Sequence, residues 1–261
     1  MTDWARVQDR LANADFGTGR ILLGLDFDGT LSEIVDSPGK AVLSPDTRRV
    51  LRALIRRADT KVAVLSGRAL EDIKKRVGLP GVYYAGNHGL QIDGPGLQWT
   101  HPHAGELDAA SWRPLEDDLE KFPGAIVERK RLGIAIHYRM VPKRYIRRLA
   151  NRVRTRFAGL RDRFRILHGK KTYDIRSSVP WNKGHALDAI RNQLTGGWMG
   201  VFIGDDRTDE EGFRTLGSRA LTIRVGRVNS SEAQYIFSDR RQVDQLLKSL
   251  AARSSPPRGR R

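Results

Sequence analysis

The fold class of this chain is decided by one stretch, Ile21-Leu22-Leu23-Gly24-Leu25-Asp26-Phe27-Asp28-Gly29-Thr30. Its first five residues are mostly apolar, which predicts a short buried strand. Asp26 and Asp28 follow at positions i and i+2, so their side chains share one face of extended backbone. Gly29 then lets the chain turn away sharply. Since ligands of open α/β sheets bind at the carboxyl ends of strands, an acidic site is predicted there.

Strand and helix patterns alternate around this stretch. Strands are predicted for 21–25, 61–65, 82–86, 199–204 and 220–225, and helices for 45–55, 69–77, 184–193, 208–216 and 241–252. Repeated βα units are typical of a parallel sheet with helices on both faces. The predicted fold class is therefore α/β, with a Rossmann-like parallel sheet as its core.

The middle of the chain has a different order of elements. After a Gly/Pro-rich segment at 93–96, the patterns predict a helix near 111–122, strands at 125–128 and 132–139, a basic helix at 143–157, and strands at 164–168 and 171–176. This order indicates an inserted α+β domain, which we expect to lie above the crevice as a cap. The expected ranges are 1–104 and 181–253 for the core, 105–180 for the insert, and 254–261 for a disordered basic tail.

Composition limits the classes of protein to which the chain belongs. It has 261 residues and no Cys, which excludes disulfides and thiolate chemistry and fits a cytosolic protein without establishing one. No apolar run approaches about 18 residues, so no transmembrane helix and no membrane partner are predicted. The polar N-terminal segment lacks the apolar stretch of a signal peptide, and we expect a cytoplasmic location.

The net charge of +17 is concentrated in one segment. Between Arg129 and Arg176 there are 17 Lys and Arg against two acids, Asp162 and Asp174, so this basic segment carries +15. Such a patch attracts anions and speeds their arrival. A solvated surface, the steering of a small anionic substrate and nucleic-acid binding all remain open, with nucleic acid the least favoured.

Three more polar segments are predicted to lie near strand ends. Ser66-Gly67-Arg68 offers a hydroxyl and backbone N–H groups that suit phosphate oxygens. Lys183 precedes a helix, where it could neutralise a phosphate or hold a carboxylate. Residues 205–211 contain five acids after a strand, which are costly to hold together without a cation. A helix start explains Asp209 by dipole complementarity, but it explains Asp205 and Asp206 less well.

The order of these segments resembles the four motifs of the haloacid dehalogenase-like phosphotransferase superfamily over about residues 20–240. Within that superfamily, the sequence looks like the trehalose-6-phosphate phosphatases. The core segments that carry this closer resemblance are residues 28–34, 66–68, 86–89, 182–184 and 204–210, and those of the insert are residues 128–130, 137–139 and 169–176.

The resemblance implies catalysis through a covalent aspartyl-phosphate. Asp26 would attack the phosphorus. Asp28 would protonate the leaving sugar oxygen and then deprotonate the hydrolytic water. Ser66 and Lys183 would hold the phosphoryl group that is transferred.

The resemblance also implies a Mg²⁺ cofactor. Its ligands would be Asp26, the main-chain carbonyl of Asp28, and Asp205, with Asp206 or Asp209 in support. Oxygen ligands of this kind are what Mg²⁺ requires.

Substrate binding is implied for a further set of residues: Gly67, Arg68, His88, Glu128, Lys130, His137, Arg139, Lys170 and Asp174. Glu128 and Lys130 share a strand face, as do His137 and Arg139. The family usually has Glu where this chain has Asp174, so the reach into the sugar site is one methylene shorter.

Structural roles remain open for several of these residues. Glu128 and Lys130 could form a surface ion pair, and His137 could be a core histidine with satisfied hydrogen bonds. His88 could make a structural hydrogen bond. Arg68 could brace its loop through a carboxylate.

The hypothesis is a Mg²⁺-dependent phosphatase that hydrolyses trehalose 6-phosphate in trehalose biosynthesis. One alternative keeps the mechanism and changes the small-molecule substrate to glucosyl- or mannosyl-phosphoglycerate or sucrose phosphate. An alternative of another class is a nucleic-acid-binding protein that uses the basic segment 129–176.

Overall fold

The computed structural model describes residues 2–12, 19–35, 38–104, 109–130, 132–169 and 171–253. The helices in these ranges are α1 (Asp3–Ala12), α2 (Pro45–Ile55), α3 (Leu70–Val77), α4 (Ala109–Leu119), α5 (Lys143–Arg156), α6 (Lys183–Gln193), α7 (Arg207–Leu216) and α8 (Arg240–Ala252). The strands are β1 (Ile21–Asp26), β2 (Thr60–Leu65), β3 (Tyr83–Gly86), β4 (Gln91–Gly94), β5 (Leu97–Thr100), β6 (Ile126–Lys130), β7 (Gly133–His137), β8 (Phe164–Gly169), β9 (Thr172–Ser177), β10 (Met199–Gly204), β11 (Ala220–Val225) and β12 (Tyr235–Phe237).

The chain divides into two compact units. The core unit comprises Met1–Trp99 and Trp181–Arg261, and the inserted unit comprises Thr100–Pro180. Within the described ranges, no helix is both long enough and apolar enough to cross a membrane.

Eight strands form one sheet in the order β12-β11-β10-β1-β2-β3-β4-β5. The strands from β12 to β3 run parallel, and β4 pairs antiparallel with β3. Every residue of β1 and of β10 is buried, as expected for parallel strands that are covered on both faces. The predicted α/β fold with a mostly parallel sheet is therefore confirmed.

Register at the centre of this sheet brings three strand ends together. Asp26, the last residue of β1, lies opposite Leu65, the last residue of β2, and Leu25 lies opposite Ile203 of β10. Because these strands are parallel, the loops that follow them leave the same edge of the sheet. Those loops begin at Ser66 and Asp205 and carry two of the predicted site segments.

Alternate side chains of β1 pack into two hydrophobic layers. Leu23 and Leu25 join a cluster that contains buried residues of α1, α2, α3 and α8. Leu22 points the other way, into a cluster with Leu187 of α6 and Phe213 of α7. The two layers hold β1 rigidly, and the position of Asp26 at its end is fixed as a result.

The inserted unit contains a four-stranded antiparallel sheet in the order β6-β7-β9-β8. One face packs against α4 and α5, with Ile134, Ile136 and Ile175 in the shared hydrophobic cluster. The predicted order of one helix, two strands, one helix and two strands is confirmed.

Four elements of the core unit were absent from the predictions. In α1, Val7 is fully buried and the ring of Trp4 packs against Phe237, although the segment is polar overall. The second and third elements are β4 and β5, and the Gly/Pro-rich segment 93–96 covers the end of β4 and the turn into β5. The fourth element is β12, a strand of three residues.

Candidate active site

Four ionisable or polar side chains converge at the carboxyl edge of the parallel sheet. Asp26 ends β1, Ser66 follows β2, Asp205 follows β10, and Lys183 is the first residue of α6. All four are almost completely buried, with exposed fractions of 1–6%. Charged groups at this depth are stable only when they are paired or bound to a cation.

Lys183 is held between two buried carboxylates. Its Nζ donates hydrogen bonds of 2.7 Å to Asp26 Oδ1 and of 2.7 Å to Asp209 Oδ1. Burial alone would lower the pKa of Lys183, but the charges of Asp209 and Asp26 raise that pKa well above its ordinary value. Burial raises the pKa of Asp26 and the pKa of Asp209, and the charge of Lys183 opposes both increases.

A helix cap fixes the backbone that carries Lys183. Asn182 is the N-cap of α6, and its Oδ1 accepts hydrogen bonds from the N–H groups of Gly184 at 2.9 Å and His185 at 3.3 Å. The Asn182 amide also donates to Thr215 Oγ1 of α7 at 2.9 Å. These contacts anchor the first turn of α6, so the ammonium group of Lys183 enters the site from a rigid helix.

The acidic loop after β10 is organised by a capping box. Asp206 is the N-cap of α7, and its Oδ1 accepts from the N–H groups of Thr208 at 2.7 Å and Asp209 at 3.0 Å. In return, Asp209 Oδ2 accepts from the N–H groups of Asp205 and Asp206, each at 3.0 Å. Burial would raise the pKa of Asp206, but Lys183 and the Thr208 hydrogen bond lower it below its ordinary value. The expectation that a helix start explains Asp206 poorly was wrong, because its side chain caps that helix.

The donor set of this cluster fits a divalent metal ion. Asp26, Asp205 and Asp209 each offer a carboxylate oxygen, and these atoms lie within 4.8 Å of one another. Three buried carboxylates and the one ammonium of Lys183 leave two negative charges uncompensated, which a divalent cation would balance. Among the described residues, the carboxylates of Asp28 and Asp206 are not part of this group.

A glycine makes room for the carboxylate of Asp205. Gly29 has a φ of +95°, and a Cβ atom placed on it would lie 2.2 Å from Asp205 Oδ2. Only glycine combines this backbone conformation with so close an approach. The sharp turn predicted after Asp28 therefore also shapes the acidic cluster.

Asp28 lies outside this buried group and pairs with Arg68. Its Oδ1 accepts from Arg68 Nη2 at 2.6 Å and its Oδ2 accepts from Arg68 Nε at 2.7 Å. The Asp28 side chain is 44% exposed, whereas the Arg68 side chain is only 8% exposed. Of the roles left open for Arg68, a brace through a carboxylate is the one that these contacts support.

Ser66 and His88 belong to one hydrogen-bonded loop pair. Ser66 Oγ accepts from the N–H of Arg68 at 3.1 Å, and Ser66 O accepts from the N–H of His88 at 2.9 Å. His88 and its neighbour Asn87 are both buried with positive φ, which is strained for residues other than glycine. A Cβ atom on Gly67 would lie 2.6 Å from His88 Cε1, so the imidazole packs directly on the backbone of this loop.

In the inserted unit, the structure aligns several predicted sugar-binding residues on one sheet face. In the sheet, Ala135 of β7 is paired with Glu128 of β6 on one side and with Asp174 of β9 on the other. The three residues therefore lie side by side across the three strands. Glu128 Oε2 lies 3.0 Å from His137 Nε2, and His137 Nδ1 lies 3.2 Å from Thr172 Oγ1. His137 therefore has a partner at each ring nitrogen.

Three other predicted sugar-binding residues have different outcomes. The expectation that Arg139 continues the strand was wrong, since β7 ends at His137. The N–H of Tyr138 donates to Lys171 O and the chain then turns toward α5, which leaves Arg139 exposed in that turn. The side chain of Lys130 and the whole of Lys170 lie outside the described residues.

Part of the basic segment is neutralised within the inserted unit. Arg129 of β6 pairs with Glu116 of α4. Arg156 and Arg152 of α5 lie 2.7 Å and 3.7 Å from Asp118 Oδ2 of α4. These arginines contribute to the packing of α4 against the rest of the unit, so the charge of the segment is not all available to a ligand.

Two residues beside the site were not predicted from the sequence. Asp72 and Arg76 of α3 continue the hydrogen-bonded chain that starts at Asp28 and Arg68. The i, i+4 spacing of residues 68, 72 and 76, with alternating charge, was the pattern that could have revealed them.

Comparison with known proteins gives consistent matches. The family model described as trehalose-phosphatase matches residues 24–243. A trehalose-phosphate phosphatase of Mycobacterium marinum is 39% identical over 211 residues, which cover 77% of this chain and 52% of that protein. The Mycobacterium tuberculosis protein of the same description is 38% identical with the same coverage, so the chain spans about half the length of these curated relatives.

Among solved structures, the C-terminal domain of the Candida albicans trehalose-6-phosphate phosphatase has a TM-score of 0.78. The match covers 94% of this chain and 96% of that domain, at 24% sequence identity. A similarity of this extent at low identity establishes the shared fold.

Proposed function

The chain belongs to the trehalose-phosphatase family, and we propose that it hydrolyses trehalose 6-phosphate to trehalose and phosphate in trehalose biosynthesis. The observation that carries this proposal is the buried group at the sheet edge, in which Lys183 bridges Asp26 and Asp209 beside Asp205. The names of the mycobacterial relatives support the choice of substrate, as does the polar sheet face of the inserted unit that carries Glu128, His137 and Asp174.

In the first half of the reaction, Asp26 attacks the phosphorus and the bond to the sugar oxygen breaks. Asp28 gives its proton to that leaving oxygen, so trehalose departs as a neutral alcohol and an aspartyl-phosphate remains on Asp26. Lys183 orients the Asp26 carboxylate through its 2.7 Å hydrogen bond, and the Ser66 hydroxyl holds a phosphoryl oxygen.

In the second half, water attacks the aspartyl-phosphate and releases inorganic phosphate. Asp28, now ionised, accepts a proton from this water, and that proton is the one donated in the next turnover. Asp26 returns to its carboxylate form, still held by Lys183. Each carboxylate therefore ends the cycle in the state in which it began.

A divalent cation, which we take to be Mg²⁺, supplies charge neutralisation for the phosphoryl oxygens when bound. Asp26, Asp205 and the main-chain carbonyl of Asp28 would hold it. Asp209 supports the site indirectly, since its two oxygens already accept from Lys183 and from the N–H groups of Asp205 and Asp206.

Recognition of the sugar is assigned to the inserted unit. Glu128, His137 and Asp174 would hydrogen-bond sugar hydroxyls, with Lys130 and Lys170 as further donors. A site built from such groups discriminates strongly against analogues that lack the matching hydroxyls. Arg139, Arg68 and His88 have weaker support as sugar ligands, since Arg139 lies beyond the strand and the other two lie in packed loops.

The first test is phosphate release from trehalose 6-phosphate, with Mg²⁺ and then with a chelator, beside sucrose 6-phosphate and glucosyl- and mannosyl-phosphoglycerate. We expect metal-dependent activity with a strong preference for trehalose 6-phosphate. Metal-dependent preference for another member of this panel would keep the core chemistry and reject the proposed substrate. The nucleic-acid alternative is not favoured by the family match, and a duplex titration that stays at background would remove it.

Asp26→Asn tests the covalent mechanism. We expect turnover to fall at least about 1,000-fold, since the nucleophile is lost. Asp46→Asn, on the exposed side of α2, is the matched control and should leave turnover unchanged. Full activity of the Asp26 variant would exclude an aspartyl-phosphate.

A further inference from the structure

The guanidinium group of Arg68 uses three N–H donors on two carboxylates. Nε and Nη2 bind the two oxygens of Asp28 at 2.7 Å and 2.6 Å, and Nη1 donates to Asp72 Oδ2 at 3.0 Å. The same group lies over the ring of Phe27, with Cζ 5.6 Å from the ring centroid. A planar fork that is matched to a carboxylate in this way fixes both the position and the plane of that carboxylate.

Asp72 is itself fixed by a second arginine. Arg76 Nε donates to Asp72 Oδ2 at 2.7 Å, and Arg76 Nη1 donates to the carbonyl oxygens of Ala41 at 2.7 Å and Gly39 at 3.2 Å. Partial burial would raise the pKa of Asp72, but the hydrogen bonds from Arg76 and Arg68 lower it below its ordinary value. The chain of contacts therefore runs from the site, through α3, to the segment that precedes α2.

We propose that Arg68 is a positioning residue that sets the orientation of the Asp28 carboxylate, and that Asp72 and Arg76 hold Arg68 in place for this purpose. This inference rests on the proposed function, because that function gives Asp28 its role in proton transfer. It departs from the sequence-based expectation that Arg68 binds the substrate. The side of the guanidinium that would grip a phosphate or a hydroxyl is occupied by Asp28.

Asp28 needs a positioning partner because its side chain is partly exposed to solvent. Asp26, Asp205 and Asp209 are buried, so close packing restricts their rotamers, and Lys183 also holds Asp26 and Asp209 by hydrogen bonds. Asp28 is 44% exposed and packing restricts it less, so its orientation depends on a specific partner. Proton transfer requires the donor within hydrogen-bond reach of the leaving oxygen, and misplacement by about 1 Å can cost about 100-fold in rate.

A positioning role has a kinetic signature that a binding role lacks. A sugar alkoxide is a poor leaving group and needs the proton of Asp28, whereas 2,4-dinitrophenolate leaves readily without one. The ratio kcat/KM reports on steps up to the departure of the leaving group and is insensitive to the later hydrolysis of the aspartyl-phosphate. Loss of Arg68 should therefore reduce kcat/KM for sugar phosphates and spare kcat/KM for 2,4-dinitrophenyl phosphate.

The experiment compares Arg68→Gln, Arg68→Lys and Asp28→Asn on both substrates. For Arg68→Gln we expect kcat/KM to fall about 10- to 100-fold with trehalose 6-phosphate and less than about threefold with 2,4-dinitrophenyl phosphate. Arg68→Lys should show the same pattern, because one ammonium group cannot replace the two-point contact. Adding Arg68→Gln to Asp28→Asn should cause no further loss, since the two residues act as one unit.

The control variant is Arg49→Gln on α2, which removes an exposed arginine that pairs with Asp46 and should change neither value. An equal loss of kcat/KM on both substrates would overturn the proposal and assign Arg68 to phosphate binding or to general structure. A loss that adds in full to that of Asp28→Asn would also overturn it. If the enzyme prefers another sugar phosphate, the proposed substrate fails, and the same comparison on the preferred ester still decides the role of Arg68.

A second measurement does not depend on turnover. A double-mutant cycle of Asp28→Asn and Arg68→Gln, followed by urea unfolding, measures the coupling between the two side chains. We expect the effects on the free energy of unfolding to be clearly non-additive. Purely additive effects would mean that the pair is not formed in solution, and the proposal would fall.

Discussion

The two units of this protein use charge in opposite ways. In the core unit, Lys183, Asp26 and Asp209 are at most 5% exposed in their side chains and neutralise one another directly. In the inserted unit, Arg152 and Arg156 are each 41% exposed where they pair with Asp118. Electrostatic interactions are stronger and more rigid away from water, which suits the transfer of a highly charged phosphoryl group. Exposed pairs are screened by water and rearrange easily, so they contribute less to the rigidity of the inserted unit.

The largest effect is expected from removing the ammonium group of Lys183 from the buried group. Lys183→Met leaves Asp26 and Asp209 buried without their counter-charge, and breaking a buried pair in this way costs about 3–5 kcal/mol. We therefore expect a large drop in the free energy of unfolding, measured by urea denaturation without metal, together with loss of turnover.

The matched control for this variant is Lys74→Met. Lys74 pairs with Asp93 in the same unit, but its side chain is 35% exposed, so its loss should cost less than about 1 kcal/mol. Equal destabilisation by the two variants would contradict the distinction between buried and exposed pairs.

The next prediction separates sugar recognition from phosphoryl transfer by comparing a sugar phosphate with an aryl phosphate. Glu128→Gln keeps the shape of the side chain but removes its charge, including the charge that faces His137 Nε2 at 3.0 Å. We expect KM for trehalose 6-phosphate to rise about 10-fold, since a hydrogen bond to a charged group is worth about 1.5–3 kcal/mol. The KM for 2,4-dinitrophenyl phosphate, which has no sugar hydroxyls, should stay within about twofold.

Glu120→Gln is the control for this effect, because Glu120 is an exposed residue just beyond α4 in the same unit. It should leave both KM values unchanged. Equal increases in KM for the two substrates after Glu128→Gln would contradict a role of Glu128 in sugar recognition. They would indicate that Glu128 acts by stabilising the sheet of the inserted unit.

The sequence predicted the centre of the molecule well because its patterns are local. The apolar run before Asp26 and the turn at Gly29 follow from neighbouring residues, and so does the helix that begins at Lys183. The edge strands could not be found in this way. In β5, intermediate and exposed residues alternate, and β12 has only three residues, so neither has a strong apolar pattern of its own.

Side-chain partners were harder to predict than positions. The sequence placed Asp206 and Arg68 correctly at strand ends, but not the atoms to which they bond. Asp206 caps α7 because the chain turns into that helix at the next residue, and Arg68 meets Asp28 because β1 and β2 are neighbours in the sheet. Both contacts depend on tertiary geometry, which no local pattern contains. The partners of a charged side chain in such a motif are therefore determined by the order of the strands around it.

The smallest effect is expected at Asp118, a buried carboxylate whose arginine partners are partly exposed. The hydrogen bond from Arg156 and the charge of Arg152 lower the pKa of Asp118 below its ordinary value. A carboxylate whose pKa is lower in the folded state stabilises the fold at pH values above the unfolded pKa of about 3.9. That contribution is lost as the pH falls through the lowered folded pKa.

Asp118→Asn should therefore lower Tm by about 2–4 °C at pH 7, and the difference from the parent protein should shrink below about pH 4. Thermal unfolding of both proteins between pH 7 and pH 3 measures this, and a difference that widens on acidification would show that the pair does not stabilise the inserted unit through its charge.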